Sequence, residues 1–178
     1  PCTSYELADR RHSSVVFCGD DPTVLLKLKS MLETSYYHIS LSTDVVGVEC
    51  AVALKNAYAL GVSLAIGLIE REEGIGCREA YNPQAALFGE RIREMTQIIK
   101  MLGGREENII YGASDLYVTI FGGRTRKLGT LLGRGLSFDE AMAQLKDVTL
   151  ESVAITTCIA RALRKREEAG LVKMSDFP

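Results

Sequence analysis

A lone lysine, Lys55, stands in the uncharged run Ala51-Val52-Ala53-Leu54-Lys55-Asn56-Ala57-Tyr58-Ala59-Leu60, and no further charge appears until Glu70. An ammonium group in apolar surroundings either snorkels to water along its alkyl stem or is held where a deprotonatable amine is useful. Proton donation is thus one candidate chemistry, and anion binding is the other. The 23 residues from Leu116 to Phe138 contain Arg124, Arg126, Lys127 and Arg134 but no acid. Within them, Gly122-Gly123-Arg124-Thr125-Arg126-Lys127 places two glycines ahead of an expected helix start. Free N–H groups and the helix dipole favour an anion there, and a guanidinium fork beside a hydroxyl suits phosphate. The plainer readings are a snorkelling lysine and a solvated basic helix face.

Asp115 precedes Arg124 by nine residues, and Thr119 follows Asp115 by four, so on a helix the two share a face. A carboxylate aimed into a closed site orients a lysine ammonium; equally, it caps the turn after Gly112. Other chemistries lack their residues. His12 and His38 have no sequence neighbours that make a metal pair or a nucleophile's base. Gly74-Ile75-Gly76 lacks a third glycine at the required spacing, and no G-x-x-x-x-G-K-[ST] occurs. The cluster of Arg161, Arg164, Lys165 and Arg166, followed by Glu167 and Glu168, reads as a solvated helix face.

The elements that must position these residues fall into two groups. Val15–Cys18 and His38–Ser42 read as strands, with a helix between them opened by Asp21-Pro22 and a short helical signal ahead of both. Two strands cannot make a stable sheet alone, so this portion reads as the end of a larger α/β domain. From Asp44 onward the pattern is helical. Thr43 or Asp44 caps a central helix to about Ile69, with Gly47, Gly61 and Gly67 placed for close backbone approach. Asn82-Pro83 opens another helix that Gly103-Gly104 stops, and 109–121 reads as a short helix. Ser137-Phe138-Asp139-Glu140 is a capping box for a helix to about Lys146, and a last helix runs from Leu150 to Glu168 before Gly170.

The whole chain sets the bounds. Its 178 residues suit one sizeable domain, or a small domain carrying part of a neighbour, and a net charge of −2 offers no general attraction to nucleic acid. Five widely spaced cysteines without a C-x-x-C pair read as reduced thiols in a cytoplasmic protein. The N-terminus has neither the basic start nor the apolar core of a signal peptide. The charge-free run from Asn56 to Ile69 is 14 residues, short of the roughly 20 a bilayer crossing needs, so it reads as a buried helix without membrane insertion.

Ser42-Thr43-Asp44-Val45-Val46-Gly47-Val48-Glu49, Ala53-Leu54-Lys55-Asn56, Ser114-Asp115-Leu116 and Gly123-Arg124-Thr125-Arg126-Lys127, in that order, resemble the NAD(P)-dependent glycerol-3-phosphate dehydrogenase family. The resemblance covers most of the chain. It implies a mainly α fold: residues 44–178 as an all-helical substrate-binding domain of 6-phosphogluconate-dehydrogenase-like type, after residues 1–43 as the C-terminal remnant of a Rossmann domain. The dinucleotide fingerprint would lie upstream. The resemblance further implies interconversion of dihydroxyacetone phosphate and sn-glycerol 3-phosphate with NAD(P)H, and the apolar helices suit a homodimer. Lys55 would be the general acid and base, Asn56 would bond substrate oxygen, and Asp115 and Thr119 would hold Lys55 and the glycerol end in register. Arg124 would grip the phosphate or bridge it to the cofactor, with Thr125 beside it, and Glu151 would meet the cofactor.

Two departures from the family pattern stand out. Arg124-Thr125-Arg126 replaces R-N-R, giving a donor of shorter reach, and Leu150-Glu151-Ser152 replaces V-E-G. The alternatives to this enzyme are a non-catalytic helical binding or dimerisation module, and a related dehydrogenase of another phosphorylated or 3-hydroxy acid substrate.

Overall fold

Strand β1 (Ser13–Cys18) pairs in parallel with β2 (Tyr37–Ser42), from Ser13 opposite Tyr37 to Cys18 opposite Ser42. Parallel strands need a crossover. Helix α2 (Pro22–Leu32) supplies it, begun by Asp21, whose carboxylate accepts from the Thr23 and Val24 N–H groups, with proline in the first turn. A short helix, α1 (Ser4–Ala8), precedes β1. Leu25 and Ile39 are buried between helix and sheet, whereas Val24, Leu26, Met31 and Leu32 of α2 stay exposed, because two strands present too little surface to cover them. The computed structural model describes residues 2–145, 150–173 and 175.

The remainder is helical. Helix α3 (Val45–Glu73) is the axis, packed by α4 (Tyr81–Met101), α5 (Ile109–Ile120), α6 (Gly123–Gly133) and α8 (Glu151–Glu168). Its start is fixed by Asp44: Oδ1 accepts from Gly47 N at 2.9 Å, and Oδ2 accepts from Arg105 N and Asn108 Nδ2, each at 2.6 Å. Asn108 closes a 3-10 turn, Glu106–Asn108, and its Oδ1 accepts from Ser42 Oγ at the end of β2. Burial disfavours the Asp44 charge, but the hydrogen bonds from Arg105, Gly47 and Asn108 and the Arg105 guanidinium outweigh it and hold the carboxyl below its ordinary range.

Apolar residues at helical spacing bury α3. Leu54, Tyr58 and Val62 meet Met95 and Ile98 of α4 and Leu116 and Ile120 of α5 in one cluster. A second cluster joins Leu128 of α6, Ala141 and Leu150. At 29 residues α3 passes by length and composition for a bilayer span, which the charge-free run alone did not; its ten buried residues and four helical neighbours make it the core helix here. Of the three glycines expected to admit another backbone, Gly47 meets Gly104 and Gly67 meets Thr130 and Gly133, but Gly61 faces open space. A 3.6-residue period turns position 61 off the face that α6 covers.

The capping box opens α7 (Phe138–Gln144), with Ser137 Oγ accepting from Glu140 N at 3.3 Å and Glu140 Oε2 accepting from Ser137 N at 2.8 Å. The expected end at Lys146 lies outside the described residues. On α8, Arg161, Arg164 and Lys165 are exposed around buried Leu163, as a solvated face requires, whereas Arg166 is half-buried and lines an apolar groove with Leu54 and Ile98.

Candidate active site

The approach of α5 to α3 sets the centre of the site. At Gly112 a Cβ would lie 2.5 Å from the Ala51 carbonyl oxygen and 2.8 Å from Met95 Cε, so only glycine admits this contact without displacement. One turn later Asp115 comes opposite Lys55, and the ammonium donates to Asp115 Oδ2. The two side chains are 19% and 23% exposed, so Lys55 is ion-paired beneath the surface and does not snorkel outward. Asp115 lies in the middle of α5, whose N-cap is Asn108, and therefore does not cap the turn after Gly112. Thr119 shares its face as expected, and its hydroxyl donates to the Asp115 carbonyl at 2.7 Å. Three residues past Lys55, burial first and then Glu94 push the Tyr58 phenol well above its ordinary value, so it stays protonated and serves the core.

The second half of the site is the start of α6. Gly122 is extended and Gly123 has φ +82°, a left-handed conformation that glycine accepts without strain; a Cβ at either would meet nothing. Arg124 and Thr125 follow in the first helical turn, where backbone N–H groups lack intrahelical partners. Arg124 is exposed and makes no hydrogen bond or ion pair with any described residue. The other two arginines of the basic stretch are committed: Arg126 to Glu79 at 2.9 Å and Arg134 to Glu70 at 2.8 Å. The stretch is thus not a uniformly solvated face.

A cleft of about 480 Å³ joins the two halves, lined by Lys55, Asn56, Asp115, Thr119, Arg124, Thr125 and Glu151 together with Gly122 and Gly123. That size suits a small organic ligand. The residues expected to act on the substrate or cofactor thus line one cleft, whereas Arg126, Lys127 and Arg134 of the basic stretch do not. Cys2, Thr3 and Tyr5 also line it and were not anticipated, since nothing in their local sequence points to a site. The rim carries a guanidinium at Arg124 and a carboxylate at Glu151, a set that suits a ligand with both anionic and donor groups.

The histidines depart from expectation. His12 Nδ1 lies 2.9 Å from His38 Nε2, with ring planes 4° apart, although 26 residues separate them. Strand pairing brings together what sequence neighbourhood cannot. No group of three or more metal-ligating side chains occurs among the described residues, so the pair lacks the rest of a ligand set.

Comparison with known proteins adds an independent line. Residues 44–175 match the family model described as NAD-dependent glycerol-3-phosphate dehydrogenase C-terminus. The NADP(+)-dependent glycerol-3-phosphate dehydrogenase of Archaeoglobus fulgidus is 36% identical over 148 residues, covering 82% of this chain and 43% of that protein. The glycerol-3-phosphate dehydrogenase (NAD(P)+) of Thermobifida fusca is 31% identical over 168 residues, covering 92% and 47%. The crystal structure of glycerol-3-phosphate dehydrogenase from Coxiella burnetii matches with TM-score 0.80 and 23% identity over 94% of this chain and 50% of that one, a likeness of fold. The chain spans about half the length of the curated relatives it matches.

Proposed function

Since the chain belongs to the NAD-dependent glycerol-3-phosphate dehydrogenase family through its C-terminal region, we propose that it forms the substrate-binding part of an oxidoreductase interconverting dihydroxyacetone phosphate and sn-glycerol 3-phosphate. The observation that carries this reading is one cleft lined by both a lysine–carboxylate pair and a guanidinium at a helix N-terminus. A small ketone with an anionic tail has those two needs. Residues 1–43 stand in this reading as the remnant of the cofactor domain.

Arg124, the Thr125 hydroxyl and the free N–H groups at the start of α6 bind the phosphate, which orients the ketone toward α3. Asn56 donates to a substrate oxygen. Asp115 holds the Lys55 ammonium in place, so that Nζ polarises the C2 carbonyl and then gives its proton to that oxygen as the alcohol forms. In the reverse direction Lys55 takes the hydroxyl proton. The cofactor NAD(P)H, when bound, supplies the hydride that reduces C2. Arg124 and Glu151, on the rim, would hold its nearer polar groups, and the Rossmann fingerprint is not in these residues. Free cysteines throughout support a cytoplasmic setting, and a homodimer is the expected assembly.

The test is a spectrophotometric assay of the full-length gene product with dihydroxyacetone phosphate and each reduced nicotinamide. Oxidation of one of them that depends on dihydroxyacetone phosphate is expected. Inactivity with both refutes the reading.

A further inference from the structure

On the reading that the start of α6 holds the substrate phosphate, we propose that Arg126 is a positioning residue. It straps the α5–α6 turn from behind, with Glu79 and Gln84 as anchors, so that Gly123, Arg124 and Thr125 face the anion. The turn has little to fix itself with: Gly122 and Gly123 carry no side chain, nothing packs where a Cβ would be, and Gly123 takes a conformation open to wide excursions.

Arg126 supplies what is missing. Its Nη1 donates to the Ile120 and Phe121 carbonyls at 3.2 and 3.1 Å, two groups at the end of α5 that lack partners within the helix. Its Nη2 donates to Glu79 Oε1 at 2.9 Å. The other Glu79 oxygen accepts from Gln84 Nε2 at 3.4 Å, and that nitrogen also donates to the Ala80 carbonyl at 3.1 Å. Gln84 is only 8% exposed, so the chain of contacts ends on a buried group of α4.

The arrangement separates two arginines two residues apart. Arg124 lines the cleft and pairs with no described residue, whereas Arg126 does not line it and spends its charge on Glu79. Arg126 therefore contributes geometry and little field at the phosphate. The ion pair by itself adds little, being partly exposed on both sides. The planar fork does the positioning, because it meets two carbonyls and a carboxylate at once in fixed directions. A lysine meets fewer of them and fixes none.

The experiment is steady-state kinetics of the full-length gene product with dihydroxyacetone phosphate and with unphosphorylated dihydroxyacetone. Arg126→Met is expected to raise KM for the phosphorylated ketone by about tenfold, with kcat, and kcat/KM for dihydroxyacetone, reduced less than about threefold. Arg126→Lys restores part of the loss, and Glu79→Gln raises KM by about threefold. An unmoved KM in both Arg126→Met and Glu79→Gln overturns the proposal, as does an equal loss on both ketones, which marks general damage. Should Arg126→Met fail to fold, Glu79→Gln alone decides by the same KM criterion. If the wild-type protein reduces neither ketone, the functional reading falls; the strap is then judged by calorimetric binding of inorganic phosphate. Weaker binding in Arg126→Met by about tenfold supports it and equal binding overturns it.

Discussion

Replacing Gly112 by alanine tests how closely the reaction depends on the seating of α5 against α3. The added methyl group lies 2.5 Å from the Ala51 carbonyl oxygen, short of the 3.4 Å at which ordinary contact begins by about 0.9 Å. Met95 Cε, at 2.8 Å, sits at the end of a flexible side chain and can swing aside. The carbonyl cannot, since in an α-helix it is the acceptor for the Lys55 N–H. The helices must therefore part by most of that 0.9 Å, next to the residues that hold Lys55 and Asp115 together. Alanine gains about 1 kcal/mol over glycine in a helix, and overpacking a tight contact costs about 1–3 kcal/mol, so the net loss of stability is about 1 kcal/mol. Turnover suffers more: a misplacement of about 1 Å costs on the order of 100-fold. Urea unfolding followed by circular dichroism reads the first quantity, and kcat with dihydroxyacetone phosphate reads the second. Gly61→Ala, in open space on the same central helix, is the control, and should stabilise by about 0.5–1 kcal/mol with unaltered turnover. If Gly112→Ala behaves like Gly61→Ala, the helix contact does not govern the lysine–carboxylate geometry.

Other outcomes follow from the same coordinates. Lys55→Ala is expected to lower kcat by at least ~100-fold, the lower end for a positioned acid; unchanged turnover removes Lys55 from the chemistry. Arg124→Lys should raise KM for the phosphorylated ketone, because a point charge replaces a two-pronged donor; titration of initial rates against substrate checks it, and an unaltered KM counts against the phosphate assignment. Asp44→Ala, which removes the N-cap and orphans Asn108 Nδ2 and Arg105 N, should destabilise by about 2 kcal/mol in denaturant. The folded Asp44 carboxyl titrates below its ordinary value, so its stabilisation is complete above the unfolded carboxylate value of about 3.9 and is lost as pH falls through the lower folded value. Acid unfolding of Asp44→Ala should show a correspondingly smaller loss of stability over that range, and parallel acid curves for variant and wild type would exclude Asp44 as a contributor.

Much of this was written locally in the chain. Asp21-Pro22, Asp44 and the Ser137 capping box each mark a helix start within a few residues, and the structure uses all three. The residues with chemical potential were legible because charge is rare around Lys55 and acid is absent around Arg124. What escaped notice depends on contacts across many residues. The Lys55–Asp115 pair spans 60 positions and Arg126–Glu79 spans 47, so the residues alone left the first as one of two uses of Asp115 and gave no sign of the second. Asp115 looked like a cap because glycine at 112 resembles a helix boundary. Its true use is to let two helix backbones touch, which needs the partner helix to be in view. Gly61 failed for the converse reason: a small residue signals close approach only on the face that has a neighbour.

The uninterrupted run of α3 from the Asp44 clamp to Lys55 behaves as a lever arm. Eleven residues at about 1.5 Å each make it roughly 16 Å long, with its fulcrum where β2 ends. A tilt of only about 5° at that fulcrum sweeps the amine through roughly 1.4 Å, comparable to the misplacement that costs catalysis two orders of magnitude. Under the proposed mechanism, the Asp44 contacts that seat the start of α3 therefore also set where the Lys55 amine stands relative to β2.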